Sequence, residues 1–266
     1  MKPAVALAAI GVLCVLPLSA CRSTERRQES RVYDNGAWVA HTIEAEGTTY
    51  PVSFWVPDGW KSPGAALVFL HGMGECGTDG RKQMSVGLPP AVEAEPRRWP
   101  FVVICPQKPT APSEWEDHAD AVFASLDLAI SEGLVDSDRV AITGLSQGGH
   151  GTIQIAALAP ERFRAAAPVC GYIARPGQQR HAAGWSQPDD PAVRSVAGKL
   201  AEMPVWIFHG GQDNVVPPAE SRLLNDLLLS RQADVRLTIF EHDNHNSWDS
   251  AYRMSDLDRW LVEHTR

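Results

Sequence analysis

Five short apolar runs constrain this chain more than anything else in it: ALVFLHG from Ala66, FVVICPQ from Phe101, VAITG from Val140, AAAPVC from Ala165 and PVWIFHG from Pro204. A strand with one wet face alternates apolar and polar residues. A run that is apolar at every position has to be covered on both faces, the condition of a parallel sheet held between helix layers. Helical stretches lie between the runs, at 117–131, 147–158 and 219–229, with a last helix beginning near Ser247. AWVAHTIEA and YPVSFWVP, starting at Ala37 and Tyr50, alternate instead and read as an early hairpin, while VRLTIFE from Val235 supplies a final strand. The expected fold class is α/β, a mostly parallel doubly wound sheet flanked by helices. At 266 residues, with 44% hydrophobic and 21% charged content, the chain can fill one large domain of this kind, expected over 32–266. Pro and Gly are scattered as loop punctuation rather than gathered into a linker, and no internal repeat stands out.

The first residues do not belong to that pattern. Lys2 is followed by an uncharged apolar run from Ala4 to Ala20, the h-region of an export signal, with Pro17 and its modest length arguing against a membrane-spanning helix. The run ends in LSAC, Leu18 to Cys21, which resembles the lipobox of bacterial lipoprotein signal peptides. That resemblance implies a signal over 1–20, lipidation of Cys21 and a membrane anchor through it; an ordinary secretory signal cleaved nearby is the alternative. Arg22 in place of Asp implies, by the same resemblance, the outer membrane facing the periplasm. RSTERRQESR, Arg22 to Arg31, has no hydrophobic period and reads with Cys21 as a flexible tether over 21–31. Losing Lys2 takes the formal charge from −8 to −9, and setting aside the tether's +2 leaves −11 on Val32–Arg266. So acidic a domain repels phosphate backbones, and no nucleic-acid partner is expected. Of five cysteines, Cys14 leaves with the signal; Cys76, Cys105 and Cys170 remain, of which Cys105 and Cys170 end apolar runs and Cys76 sits in a loop that could reach Cys105. No Cys/His spacing suggests a metal.

Chemistry concentrates at the carboxyl ends of the expected strands, where ligands bind in such sheets. In AITGLSQGGHG, Gly144, Ser146 and Gly148 fit the G-x-S-x-G elbow, in which a sharp strand-to-helix turn presents a serine hydroxyl. The pattern alone also fits a plain β-to-α turn with a capping serine. Context favours the elbow: a strand precedes it, a helix follows, HGGQD places Asp213 after the next strand but one, and EHDNHNSW places His245 after the last. A serine hydroxyl is a poor nucleophile until an imidazole takes its proton, and a carboxylate fixes that imidazole's tautomer. His242 is a weaker rival base, His71 and His209 read as loop braces, and His150 reads as packed against the sheet. FLHGMGECG follows a strand and offers oxyanion donors, assigned to the backbone amides of Met73 and Gln147, with Glu75 as a brace of that loop or a solvated side chain.

FLHGMGECGTDG, ICPQ, VAITGLSQGGHGT, VWIFHGGQDNVVP and HNSW together resemble the α/β-hydrolase fold family, in the branch of phospholipase/carboxylesterase, dienelactone-hydrolase-like and polyhydroxybutyrate-depolymerase or feruloyl-esterase-like enzymes. The similarity spans most of 32–266. It implies Asp213 as the acid of an H-G-x-x-D loop, His245 as the base of an H-x-S-W segment, and a cofactor-free reaction. Two departures stand out: GEC lacks the Arg that relatives often carry after Glu75, and the segment after Cys170 is long, so 171–200 reads as a cap insert or a passive surface loop. Trp115, Trp185 and Trp248 could wall the site for an acyl or aryl group, or pack as half-buried aromatics.

The expected activity is hydrolysis of a small or exposed ester by Ser146, His245 and Asp213 through an acyl-enzyme. Two alternatives remain. One is a serine peptidase like the prolyl oligopeptidase catalytic domain, which usually carries a gating domain not expected here; the other is a binding module that keeps the fold without activity. Neither the identity of the ester nor the oligomeric state is legible.

Overall fold

A computed structural model of the chain describes residues 36–175 and 185–266, all within a unit spanning Val32–Arg266. The expected signal, Cys21 and the expected tether lie outside the described residues, as do 176–184 of the expected insert.

Eight strands form one sheet: β1 (Ala37–Ala45), β2 (Thr48–Val56), β3 (Gly64–Leu70), β4 (Val102–Pro106), β5 (Val135–Leu145), β6 (Ala165–Val169), β7 (Val205–Gly210) and β8 (Val235–Phe240). Their order is β1-β2-β4-β3-β5-β6-β7-β8. The β1–β2 and β2–β4 pairings are antiparallel, and every pairing from β4 to β8 is parallel. This is the expected α/β-hydrolase class of architecture, with the alternating hairpin at one edge.

The physical reason is visible in β3, buried at all seven positions. Ala66, Val68 and Leu70 enter one core cluster, and Ala65, Leu67 and Phe69 the other. Successive side chains point to opposite faces, so an uninterrupted apolar run serves two layers at once. Four helices cover the first face: α2 (Ala119–Ser131), α3 (Gln147–Leu158), α4 (Pro191–Leu200) and α5 (Ala219–Leu229). The second carries α1 (Leu88–Ala94), α6 (Trp248–Arg253) and α7 (Leu257–His264).

The single helix expected from near Ser247 is two, α6 and α7, and two further helices are absent from the sequence reading. Helix α1 hides behind Pro89 and Pro90, which read as loop residues but stand in its first turn, where proline's missing N–H costs nothing. Helix α4 falls inside 171–200, the segment read as an insert. Asp190 caps it through a bond from Ala192 N–H, and its Val193, Ala197 and Leu200 join the core, so 191–200 is the crossover from β6 to β7. Cys105 and Cys170 are buried as expected, and neither they nor Cys76 forms a disulfide.

Candidate active site

Ser146 follows the last residue of β5 and precedes the first of α3. Its φ is 55°, a left-handed conformation that costs a non-glycine residue energy and that the surroundings must enforce. They do so through the backbone: Ser146 N–H donates to Val169 O at 2.9 Å, and Ser146 O accepts from His150 N–H at 3.0 Å. Gly148 is required for space. A Cβ there would lie 1.9 Å from Leu70 O, a backbone atom that cannot swing aside. Gly148→Ala is therefore expected to destabilise the fold by about 3 kcal/mol, the upper end of ordinary overpacking. A urea midpoint checks this against Gly74→Ala, whose Cβ would meet nothing within 4 Å and which should unfold like the parent.

His245 comes from the loop after β8, and its Nε2 lies 2.9 Å from Ser146 Oγ. Its Nδ1 lies 2.7 Å from Asp213 Oδ2. Asp213 comes from the loop after β7, with its carboxylate fully buried. Its Oδ1 accepts from the N–H groups of Val215 and Val216 at 2.8 and 2.9 Å, which leaves Oδ2 for the imidazole. Burial alone would raise the Asp213 pKa, but hydrogen bonds from His209, His245 and the Val215 amide outweigh it and hold the carboxyl well below the usual carboxylate range. In this chain of bonds His245 donates Nδ1–H to Asp213, and Nε2 is free to accept the Ser146 hydroxyl proton. The arrangement can raise the nucleophilicity of Ser146 and hold the imidazolium that results.

The other histidines have separate work. His209 places Nε2 3.2 Å from Asp213 Oδ2 and 3.0 Å from Val216 O, with Nδ1 2.6 Å from Ser221 Oγ, so it braces the loop after β7. His71 donates from Nδ1 to Gly72 O at 2.6 Å and accepts at Nε2 from Lys108 N–H at 3.0 Å; burial lowers its pKa to about 3, and it stays neutral. His150 stacks on Tyr172 with ring centroids 4.3 Å apart. His242 is exposed, and Ser146 bonds to His245 instead. Glu75 accepts from the Gly72 backbone and so ties down the loop it belongs to, while burial raises its pKa.

Met73 opens a short 3₁₀ segment, Met73–Glu75, and Gln147 opens α3. First-turn N–H groups have no intrahelical acceptor, and here both belong to residues that line one cavity with Ser146. That cavity measures about 350 Å³, enough for a small organic ligand. Met73 and Val215 stand at it with 59% and 52% of their surface exposed.

The three tryptophans part company. Trp185 lines the cavity, edge-on to Tyr172 at 5.1 Å. Trp248 stands edge-on to His245 at 5.5 Å, half-buried against the core, and does not line the cavity. Trp115, expected as a wall, is 1% exposed: its Nε1–H donates to His71 O at 3.0 Å and its ring fills the space over Gly151. It is a packing residue, because the turn it opens points it under the loop that follows β3. Its neighbour in sequence, Glu114, reaches the cavity instead, as do Tyr172 and Arg175. No local signal marks those three, since capping and tertiary contacts aim them. Cys170 follows β6 at φ 41°, its Sγ within 4.8 Å of the Asp213 carboxylate and the His245 imidazole. Burial and the Asp213 charge push its pKa up, so it stays a thiol.

A profile of the prolyl oligopeptidase family matches residues 115–266, which include Ser146, Asp213 and His245. Acylamino-acid-releasing enzyme 2 of Oryza sativa subsp. japonica is 29% identical over 154 residues, 49% of this chain, which spans only 20% of that relative's length. Among solved structures, a thermostable esterase is 30% identical with a TM-score of 0.73, over 86% of this chain and 63% of that one. Est1E from Butyrivibrio proteoclasticus, at 18% identity and a TM-score of 0.63, covers 85% of this chain and 98% of its own, and shares the fold.

Proposed function

This chain belongs to the prolyl oligopeptidase family and is a hydrolase of the α/β-hydrolase fold, and from that premise we propose that it cleaves carboxylic esters through Ser146, His245 and Asp213. The observation that carries the reading is the unbroken path Asp213–His245–Ser146, at 2.7 and 2.9 Å, opening onto a cavity lined by Met73 and Gln147, each the first residue of a helical turn. In the proposed reaction Ser146 Oγ attacks the ester carbonyl while its proton passes to His245 Nε2. The carbonyl oxygen, now an anion, is held by the Met73 and Gln147 amides. His245 returns the proton to the leaving alcohol, and water, deprotonated by the same imidazole, releases the acid and restores Ser146.

The ester preference rests on the similarity to the thermostable esterase over most of the chain. Peptide cleavage is the second reading, favoured by the family itself and by the rice relative. Hydrolysis of p-nitrophenyl acetate, butyrate, octanoate and palmitate, beside acylated alanine p-nitroanilide, separates the two. An ester kcat/KM at least about a hundredfold above the anilide's is expected, and the reverse order would make the chain a peptidase.

We propose further that Cys21 is lipidated after export and tethers this domain to the outer membrane. Mass spectrometry of the membrane-extracted protein should find acyl chains on Cys21; an unmodified or absent Cys21 overturns the anchor.

A further inference from the structure

Two buried acceptors on the wall of the Ser146 cavity have no donor among the described residues. Glu114 is 8% exposed; its Oε1 accepts from the Tyr172 hydroxyl at 2.8 Å, and its side chain takes part with the Asp117 backbone N–H in a capping box. Its Oε2 is buried and unpartnered. Gln147 is 6% exposed; its Nε2 donates to Ala111 O and Ser113 O, both at 3.1 Å, which fixes which way the amide faces and leaves Oε1 buried and unpartnered as well. Gln147 is fastened through Nε2 to Ser113, the residue preceding Glu114, so the two side chains belong to one stretch of the cavity wall. A buried acceptor left without a donor loses its bond to water and gains nothing in return, and native proteins retain few such groups. Both residues line the cavity that holds Ser146, so whatever occupies the cavity is placed to satisfy them.

We propose that the substrate of this site carries a protonated amino group, seated against Glu114 Oε2 and Gln147 Oε1. The inference rests on the hydrolase reading of Ser146 and names its substrate class. An ammonium group brings three donors and a positive charge, whereas a hydroxyl brings one donor and none. Charge-assisted bonds to a carboxylate are about twice as strong as neutral ones. Arg175 also lines the cavity, but its Nε and Nη2 are held by Glu116 at 2.6 Å and Asp117 at 2.5 Å, so its charge is matched without Glu114. The net charge of −11 on Val32–Arg266 further favours a cation over an anion.

Three benzyl esters that differ in one group on the acyl α-carbon test this: benzyl isobutyrate carries a methyl, benzyl lactate a hydroxyl, and alanine benzyl ester an ammonium. Their dissociation constants are measured by calorimetry on the full chain carrying Ser146→Ala, so that none is cleaved, at about pH 6.5, below the α-amino range. The alanine ester is expected to bind at least about tenfold tighter than the other two. Adding Glu114→Gln, which keeps an acceptor for Tyr172 and Asp117 but removes the charge, should cut that preference to within about twofold. Equal binding of all three esters, lactate matching alanine, or a preference that survives Glu114→Gln in a folded protein each overturns the proposal. The ester comparison in Ser146→Ala alone decides it should the double variant not fold. Turnover by the unmodified chain is a separate readout: tight binding of the alanine ester with no ester cleaved by Ser146 would sink the hydrolase reading and leave this one standing.

Discussion

Ser146→Ala is expected to lower kcat on any ester the chain hydrolyses by about 10⁶, the loss typical of a nucleophile in a triad that works as a unit. The substitution deletes one atom, the Oγ that lies 2.9 Å from His245 Nε2, and leaves the Met73 and Gln147 amides in place. What remains is cavity binding and oxyanion stabilisation, worth about 10³–10⁴ over water in comparable sites. Stability should hardly move, because Ala inherits the same left-handed backbone, φ 55°, and the same bonds to Val169 O and His150 N–H. Steady-state hydrolysis, with mass spectrometry after a phosphonate probe, checks the first half, and a urea midpoint the second. A variant that keeps more than about 1% of activity would require another nucleophile, since triad losses are far larger.

Asp213→Asn should cost about 10⁴ in kcat, as expected when an imidazole is held in the wrong tautomer. Here the surroundings dictate which way the new amide faces. The Oδ1 position accepts from the N–H groups of Val215 and Val216, so the Asn oxygen has to stay there. Its NH₂ then occupies the Oδ2 position, 2.7 Å from His245 Nδ1, and donates to it. An imidazole that accepts at Nδ1 carries its proton on Nε2 and cannot take one from Ser146. The same NH₂ meets His209 Nε2, 3.2 Å away, which already donates to Val216 O. The variant also probes acid stability. Because the folded Asp213 pKa is depressed below its unfolded value of about 3.9, its ionised form stabilises the fold above about pH 4, and that contribution is lost as pH falls. Asp213→Asn should accordingly show a shallower fall in stability below about pH 4, read from urea midpoints across pH. Full activity in this variant would mean that His245 is oriented by something other than Asp213.

The strands were legible because each answers to a local rule. Runs such as Ala66–Leu70 and Val102–Cys105 are apolar at every position, and only a strand covered on both faces needs that. The alternation in Ala37–Ala45 likewise marks an edge hairpin with one face packed. Ser146, Asp213 and His245 were legible for a related reason: each follows directly from a strand end, and the order of strands along the chain fixes the order of the three. Proximity in sequence to a strand end is what the one-dimensional pattern encodes.

Other features depended on contacts between distant parts of the chain. Helix α1 begins at two prolines that local reading assigns to a loop, and α4 gains its apolar face only by packing between α3 and α5. Trp115 and Glu114 are adjacent in sequence, yet one faces the core and the other the cavity. Their turn is clamped by Tyr172, 58 residues from Glu114, and by His71, 44 residues from Trp115. The sequence by itself determined the sheet, its two covered faces and the three strand-end residues, because burial periodicity and strand polarity are properties of contiguous residues. Which side chains wall the cavity, and which acceptors within it are left without donors, was decided only by tertiary structure, because a hydrogen bond is satisfied by whatever the fold brings within about 3 Å, however far along the chain it lies.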